Sequence, residues 1–167
     1  MIRDNLLLIG VVVLLVGLGA VGVIGAYQSP QTQSTAETYS ASDTERPQIE
    51  LSESTFDFGA MSVKDTKTRD ITVTNTGSKP LTVKNFGTSC DCTMAWMSVE
   101  GSKSPMFTMH GPNTWSGTIE PGKTGTLTVE YQPSLMPVQG QVERVVFFAT
   151  NDPTNPKIEV AFTATVQ

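Results

Sequence analysis

The chain has 167 residues, 11 basic and 16 acidic side chains for a formal charge of −5, two cysteines and one histidine. An acidic balance without any run of Lys or Arg argues against nucleic acid or an anionic lipid surface as partner, because either needs a basic patch. With one histidine, no Gly-x-Ser-x-Gly and no carboxylate pair on an apolar background, hydrolytic chemistry lacks its residues and an enzyme is not expected.

Residues 6–26 form one apolar run, LLLIGVVVLLVGLGAVGVIGA. As a helix of about 21 residues it spans roughly 31 Å, the hydrocarbon thickness of a bilayer. A cleaved signal peptide would carry a shorter core, a positive start and a small-x-small cleavage site. Here Arg3 is offset by Asp4, and the large Ile24 spoils Ile24-Gly25-Ala26, so the segment 1–27 is expected to be a retained signal anchor. Arg3 precedes the run and the next basic residue is Arg46, which predicts a cytoplasmic N-terminus and an extracytoplasmic domain. No cysteine lies near the run, so a lipoprotein anchor is not expected. Gly17-Leu18-Gly19-Ala20-Val21-Gly22 spells GxGxxG, but inside an apolar 21-mer it has neither the strand nor the acidic residue of a dinucleotide site. Residues 28–46 are rich in Ser, Thr and Gln with almost nothing apolar, and read as a disordered spacer.

From Pro47 to Gln167 the pattern has period two, in a length that suits one core. Ile71 and Val73, then Leu127, Val129 and Tyr131, then Ile158, Val160, Phe162, Ala164 and Val166 alternate with polar or small neighbours. Such alternation sets one face on a core and one in water. Val145-Val146-Phe147-Phe148 is apolar on both faces and predicts a central strand. Clusters of Gly, Pro, Asn and Asp separate the segments. The expected class is all-β, an immunoglobulin-like antiparallel β-sandwich of about seven strands with an inserted loop at about 97–116. The two cysteines are neighbours, so a disulfide between opposing sheets is absent and the core must hold by apolar packing.

Phe56-Asp57-Phe58-Gly59, Asn75-Thr76-Gly77 leading to Pro80-Leu81, Ser89-Cys90-Asp91-Cys92-Thr93, Ile119-Glu120-Pro121-Gly122 and Thr150-Asn151-Asp152-Pro153 occur in that order. In these motifs the chain, over about 52–166, resembles the bacterial "domain of unknown function 1573" family, which is similar to the immunoglobulin-like Hydin and major-sperm-protein domains. The resemblance implies an immunoglobulin-like sandwich and no established activity. Two departures stand out. Asp91 sits where the family has Gly between the cysteines, and the stretch from Met94 to Thr118 is about fifteen residues longer.

Both departures fall on the candidate chemistry. Three readings of Cys90 and Cys92 compete. One is structural, as thiols or as a disulfide that needs a bend at Asp91. A second is a soft-metal site, copper or zinc, with Cys90, Cys92, His110, Met106 and Met109 as ligands, since thiolate, thioether and imidazole select copper(I). The third is a reactive thiol, which needs a nearby cation and instead has Asp91 beside it. In the insertion, Phe107 and Trp115 are expected to fold back over the open end of the core, with contact to a protein partner as the competing reading. The sequence thus predicts a membrane-tethered, extracytoplasmic binding or assembly module, with an envelope metal-binding protein as the alternative.

Overall fold

The structure, a computed structural model, describes residues 38–111 and 113–167. The anchor expected at 6–26 lies outside these residues, and no helix among the described residues is long and apolar enough to cross a membrane. Ten strands follow in chain order: β1 Ile49–Leu51, β2 Thr55–Met61, β3 Lys67–Asn75, β4 Leu81–Thr88, β5 Thr93–Val99, β6 Ser102–Lys103, β7 Ser116–Ile119, β8 Thr124–Tyr131, β9 Gly140–Thr150 and β10 Lys157–Val166. They form two five-stranded sheets, ordered β1-β3-β8-β5-β6 and β2-β10-β9-β4-β7. Seven strands have seven residues or more; the other three, β1, β6 and β7, are edge pieces of three, two and four residues, too short to leave a readable alternation. Pairing is antiparallel except between β2 and β10, which run parallel because the chain leaves β1 in one sheet and continues the same way in the other.

The inner faces carry the alternating residues read from the sequence. Ile71, Val73, Leu127, Val129, Val146, Val160 and Phe162 are almost fully enclosed, each contributing about 1.5–3 kcal/mol of burial. β9 is a central strand between β10 and β4. Its Val146 and Phe148 face the core, while Phe147 is half-buried on the outer face against Gly87, where an added Cβ would meet its ring at 2.7 Å.

Four of the five sequence motifs are structural ties. Asp57 accepts from Gly59 N and Thr163 Oγ1 at 2.9 and 3.0 Å, fixing the bulge where β2 slips against β10. Asn75 is fully buried, donates to the Lys79 and Ile119 carbonyls, and accepts from Gly77 N. Gly77 admits the incoming chain, since a Cβ there would lie 2.3 Å from the Arg46 carbonyl oxygen. Pro121-Gly122, with Gly122 at φ +72°, makes a tight turn closed by Lys123 N donating to the Glu120 carbonyl. Asp152, 1% exposed, accepts from Arg46, the Ile49 backbone, Thr154 and Asn155. These ties correct the spacer boundary: Arg46 lies on Asp152 and Glu45 on Lys79, so the chain is part of the domain before Pro47.

The insertion is also less of a loop than expected. Met97 to Val99 complete β5, β6 pairs back on β5, and Phe107 exchanges both backbone hydrogen bonds with Ala95. Ser104 adds its hydroxyl as acceptor for Met97 N. The segment 102–107 thereby covers the outer edge of β5, an edge that would otherwise present unpaired backbone groups.

Candidate functional site

Ser89-Cys90-Asp91-Cys92-Thr93 forms the turn by which the chain crosses from β4 in one sheet to β5 in the other. Its frame is backbone-anchored. Thr93 N donates to the Cys90 carbonyl at 3.1 Å, Ser89 N to the Val145 carbonyl at 2.9 Å, and Gln132 N to the Cys92 carbonyl at 2.9 Å. Ser89 Oγ accepts from Val145 N and Thr88 Oγ1 donates to the Cys90 carbonyl. Cys90 and Cys92 are joined as a disulfide with Cα atoms 5.3 Å apart, lying in the turn and not along a strand. Both are buried, Cys90 at 6% and Cys92 at 0% exposure.

Two further segments are tied to this turn. From the insertion, His110 Nδ1 lies 3.2 Å from both carboxylate oxygens of Asp91, the residue between the cysteines. The segment after β8, opened by Gln132, carries a short 3₁₀ turn at Pro133–Leu135. The exposed large apolar side chains of the described residues are Met106, Met109, Leu135 and Met136. All four sit on these two segments.

The expected metal ligands are only partly gathered. The sulfurs of Cys90 and Cys92 are bonded to each other, and a disulfide is not the thiolate that ligates metal. His110 reaches the turn through Asp91, while Met106 and Met109 point out at 51% exposure each. Among the described residues no three of His, Cys, Asp and Glu converge into a metal-holding group. Met94 and Met97, also in the extended stretch, are buried in β5.

Phe107 covers the core, and the competing reading of it as a partner contact is corrected. At 1% exposure its ring stacks on Phe86 at 4.4 Å and meets Trp115 at 5.8 Å, so it closes the core and offers no face to a partner. Stacking two large rings removes more apolar surface from water than a loop contact would, and the bridge to Ala95 fixes the backbone for it. Trp115 is half-buried against the same cluster and keeps an open side.

Arg144 was not foreseen. It occupies the inward parity of β9, in line with Val142, Val146 and Phe148, where a charge interrupts a core face. That interruption was the available signal. Its Nε donates toward Cys92 Sγ at 3.4 Å and its Nη1 to the Glu143 carbonyl at 2.7 Å. Tyr131, on the last inward position of β8, has a buried hydroxyl with no hydrogen-bond partner among the described residues. Burial pushes its phenol above the ordinary range, against a smaller opposite pull from the Arg144 charge.

Two packed sheets with this crossing define an immunoglobulin-like domain. The chain belongs to the HYDIN/CFA65/VesB-like, Ig-like domain family, whose sequence model matches residues 47–165. The kinship with Hydin-type domains implied by the motifs is therefore shown. Similar solved structures include a protein of unknown function from Porphyromonas gingivalis W83, with 18% identity and a TM-score of 0.57, covering 73% of this chain and 48% of that one. A family 123 glycoside hydrolase from Clostridium perfringens, described for glycolipid glycan hydrolysis, matches at 10% identity and a TM-score of 0.51 over 73% of this chain and 27% of its own. The chain thus spans about half of the first and about a quarter of the second, and the likeness is one of fold. No curated protein matches the sequence significantly.

Proposed function

We propose that this chain is a non-catalytic binding or assembly module, tethered to a membrane by residues 6–26, that holds a protein partner outside the cytoplasm at the cysteine end of its sandwich. One observation carries the reading: Met106, Met109, Leu135 and Met136 are each about half exposed and sit on two segments tied to one turn. Exposed apolar side chains on loops favour a protein contact, and loops on a rigid sandwich are where binding concentrates. Methionine adds an adaptable contact surface. The apolar run, Arg3 ahead of it and the polar stretch behind it support the tether and its direction.

A photo-crosslinking residue at Met109 or Leu135, introduced in the full chain in intact membranes, tests this. Both positions should yield the same defined protein adduct, and Met109→Asp with Leu135→Asp should abolish it. An equal adduct from Glu159, exposed on β10, or one that survives the double variant, overturns the reading. The competing soft-metal reading draws on the His110–Asp91 contact, which brings the imidazole beside the cysteine turn. It requires the disulfide to be opened first. The chain purified under reducing conditions is expected to be free of stoichiometric copper or zinc; metal that is present and lost in a Cys90→Ser, Cys92→Ser variant would install the metal reading instead.

A further inference from the structure

We infer that the Cys90–Cys92 disulfide is an exchangeable redox site, opened by attack of an external dithiol on Cys90 while Arg144 receives the departing sulfur of Cys92. The two sulfurs are not equivalent. Cys92 is fully enclosed whereas Cys90 keeps 6% of its surface exposed, which makes Cys90 the better placed of the two for an incoming thiolate. The enclosed sulfur is the one that has a cation: Arg144 Nε lies 3.4 Å from Cys92 Sγ. Among the described residues Arg144 has no carboxylate partner, so its charge is not already neutralised. A cation beside a thiol favours the thiolate, and a thiol of lower pKa leaves faster in exchange. This supplies the element whose absence at Asp91 counts against a reactive thiol.

The other sulfur is also provided for. Cys92 N lies 3.0 Å from Cys90 Sγ, and Thr93 Oγ1 is 3.9 Å away, so the thiolate released second has donors. The frame of the turn does not depend on the bond. Its anchors run through backbone groups, Ser89 and Thr88, none of which involves sulfur. A bridge between residues two apart closes so short a loop that it removes little freedom from the unfolded chain. Opening it therefore leaves the sandwich folded.

The chemistry balances. The dithiol's first thiolate bonds to Cys90 Sγ and breaks the Sγ–Sγ bond, and the electron pair leaves on Cys92 Sγ beside Arg144. The dithiol's second thiolate attacks its own sulfur in the mixed disulfide and releases the Cys90 thiolate. The dithiol ends as a disulfide, two electrons poorer, and the two cysteines end reduced.

The proposal does not rest on the partner-binding reading, and its test reads sulfur chemistry alone. The full-length chain in detergent is treated with dithiothreitol, quenched at intervals by alkylation and read by mass spectrometry; a parallel sample with glutathione traps the mixed disulfide. The adduct is expected on Cys90, with the β-sheet circular dichroism unchanged after reduction. Arg144→Gln should slow reduction about tenfold and Arg144→Lys should restore most of the rate. Equal rates in wild type and Arg144→Gln, an adduct chiefly on Cys92, or reduction only as fast as global unfolding overturns it. Where Arg144→Gln fails to fold, the adduct position and the wild-type dichroism decide.

Discussion

Met106 and Phe107 are neighbours in sequence and opposite in burial. Phe107 is enclosed, Met106 is 51% exposed, and truncating each should separate stability from binding. Phe107→Ala removes a fully buried ring, a change that costs about 3–5 kcal/mol through lost transfer energy and the cavity left behind. Two ring contacts, the stack on Phe86 and the tilted meeting with Trp115, place the site in the middle or upper part of that range, near ~4 kcal/mol. The backbone bridge to Ala95 resists collapse of the cavity, which keeps the cost from falling. With a urea slope of about 2 kcal/mol/M for a domain of this size, the midpoint should drop by about 2 M at unchanged slope. Urea titration of the domain from Thr38 onward, followed by circular dichroism, measures it. Met106→Ala should stay within about 0.5 kcal/mol, as exposed substitutions do, while weakening partner crosslinking. A Phe107→Ala midpoint indistinguishable from wild type would mean the ring is not in the core and would return it to the partner surface.

At Asp152, burial raises the carboxyl pKa, but hydrogen bonds from Asn155, Thr154 and the Ile49 backbone together outweigh it and hold the value below the ordinary 3.8. A folded value below the unfolded one adds stability that is present above about pH 4 and lost as pH falls through the folded value. Asp152→Asn should therefore lose about 2–3 kcal/mol at neutral pH, because an amide NH₂ confronts donors, and should flatten the acid limb of the stability curve; an unchanged limb refutes the assignment. Asn75→Ala strands the Ile119 carbonyl and Gly77 N and should cost about 2–3 kcal/mol in the same titration. Lys67 Nζ donates to the Phe58 and Ala60 carbonyls of edge strand β2 at 2.6 and 3.0 Å. Since Met61 O already accepts from Gln167 N, the Ala60 carbonyl faces outward, and Lys67→Met should leave an edge open to pairing between copies. Sedimentation of the domain should show self-association in that variant, and a monodisperse monomer would dispose of the edge-capping role.

What could be read along the chain was whatever repeats at short range. Ile71, Val73, Leu127, Val129 and Phe162 announced their strands because side chains alternate every two residues, and Pro121-Gly122 announced its turn through its own backbone limits. The short edge pieces β1, β6 and β7, of three, two and four residues, hold too few positions to repeat the alternation. Arg46 reads as the last residue of a polar stretch, and only its bond to Asp152, 106 positions on, shows that the domain already includes it. Phe107 looked like a loop aromatic because the sequence does not show that 102–107 lies along the edge of β5. The cysteine turn shows the same limit. Asp91, adjacent in sequence, argues against a reactive thiol, whereas Arg144, 52 residues away, argues for one. Distance decides between them: the guanidinium touches the sulfur, while the Asp91 carboxylate is half exposed and turned toward His110. A half-buried cation in contact with an enclosed sulfur is screened less than a half-exposed carboxylate turned away from it, so the remote residue outweighs the neighbour.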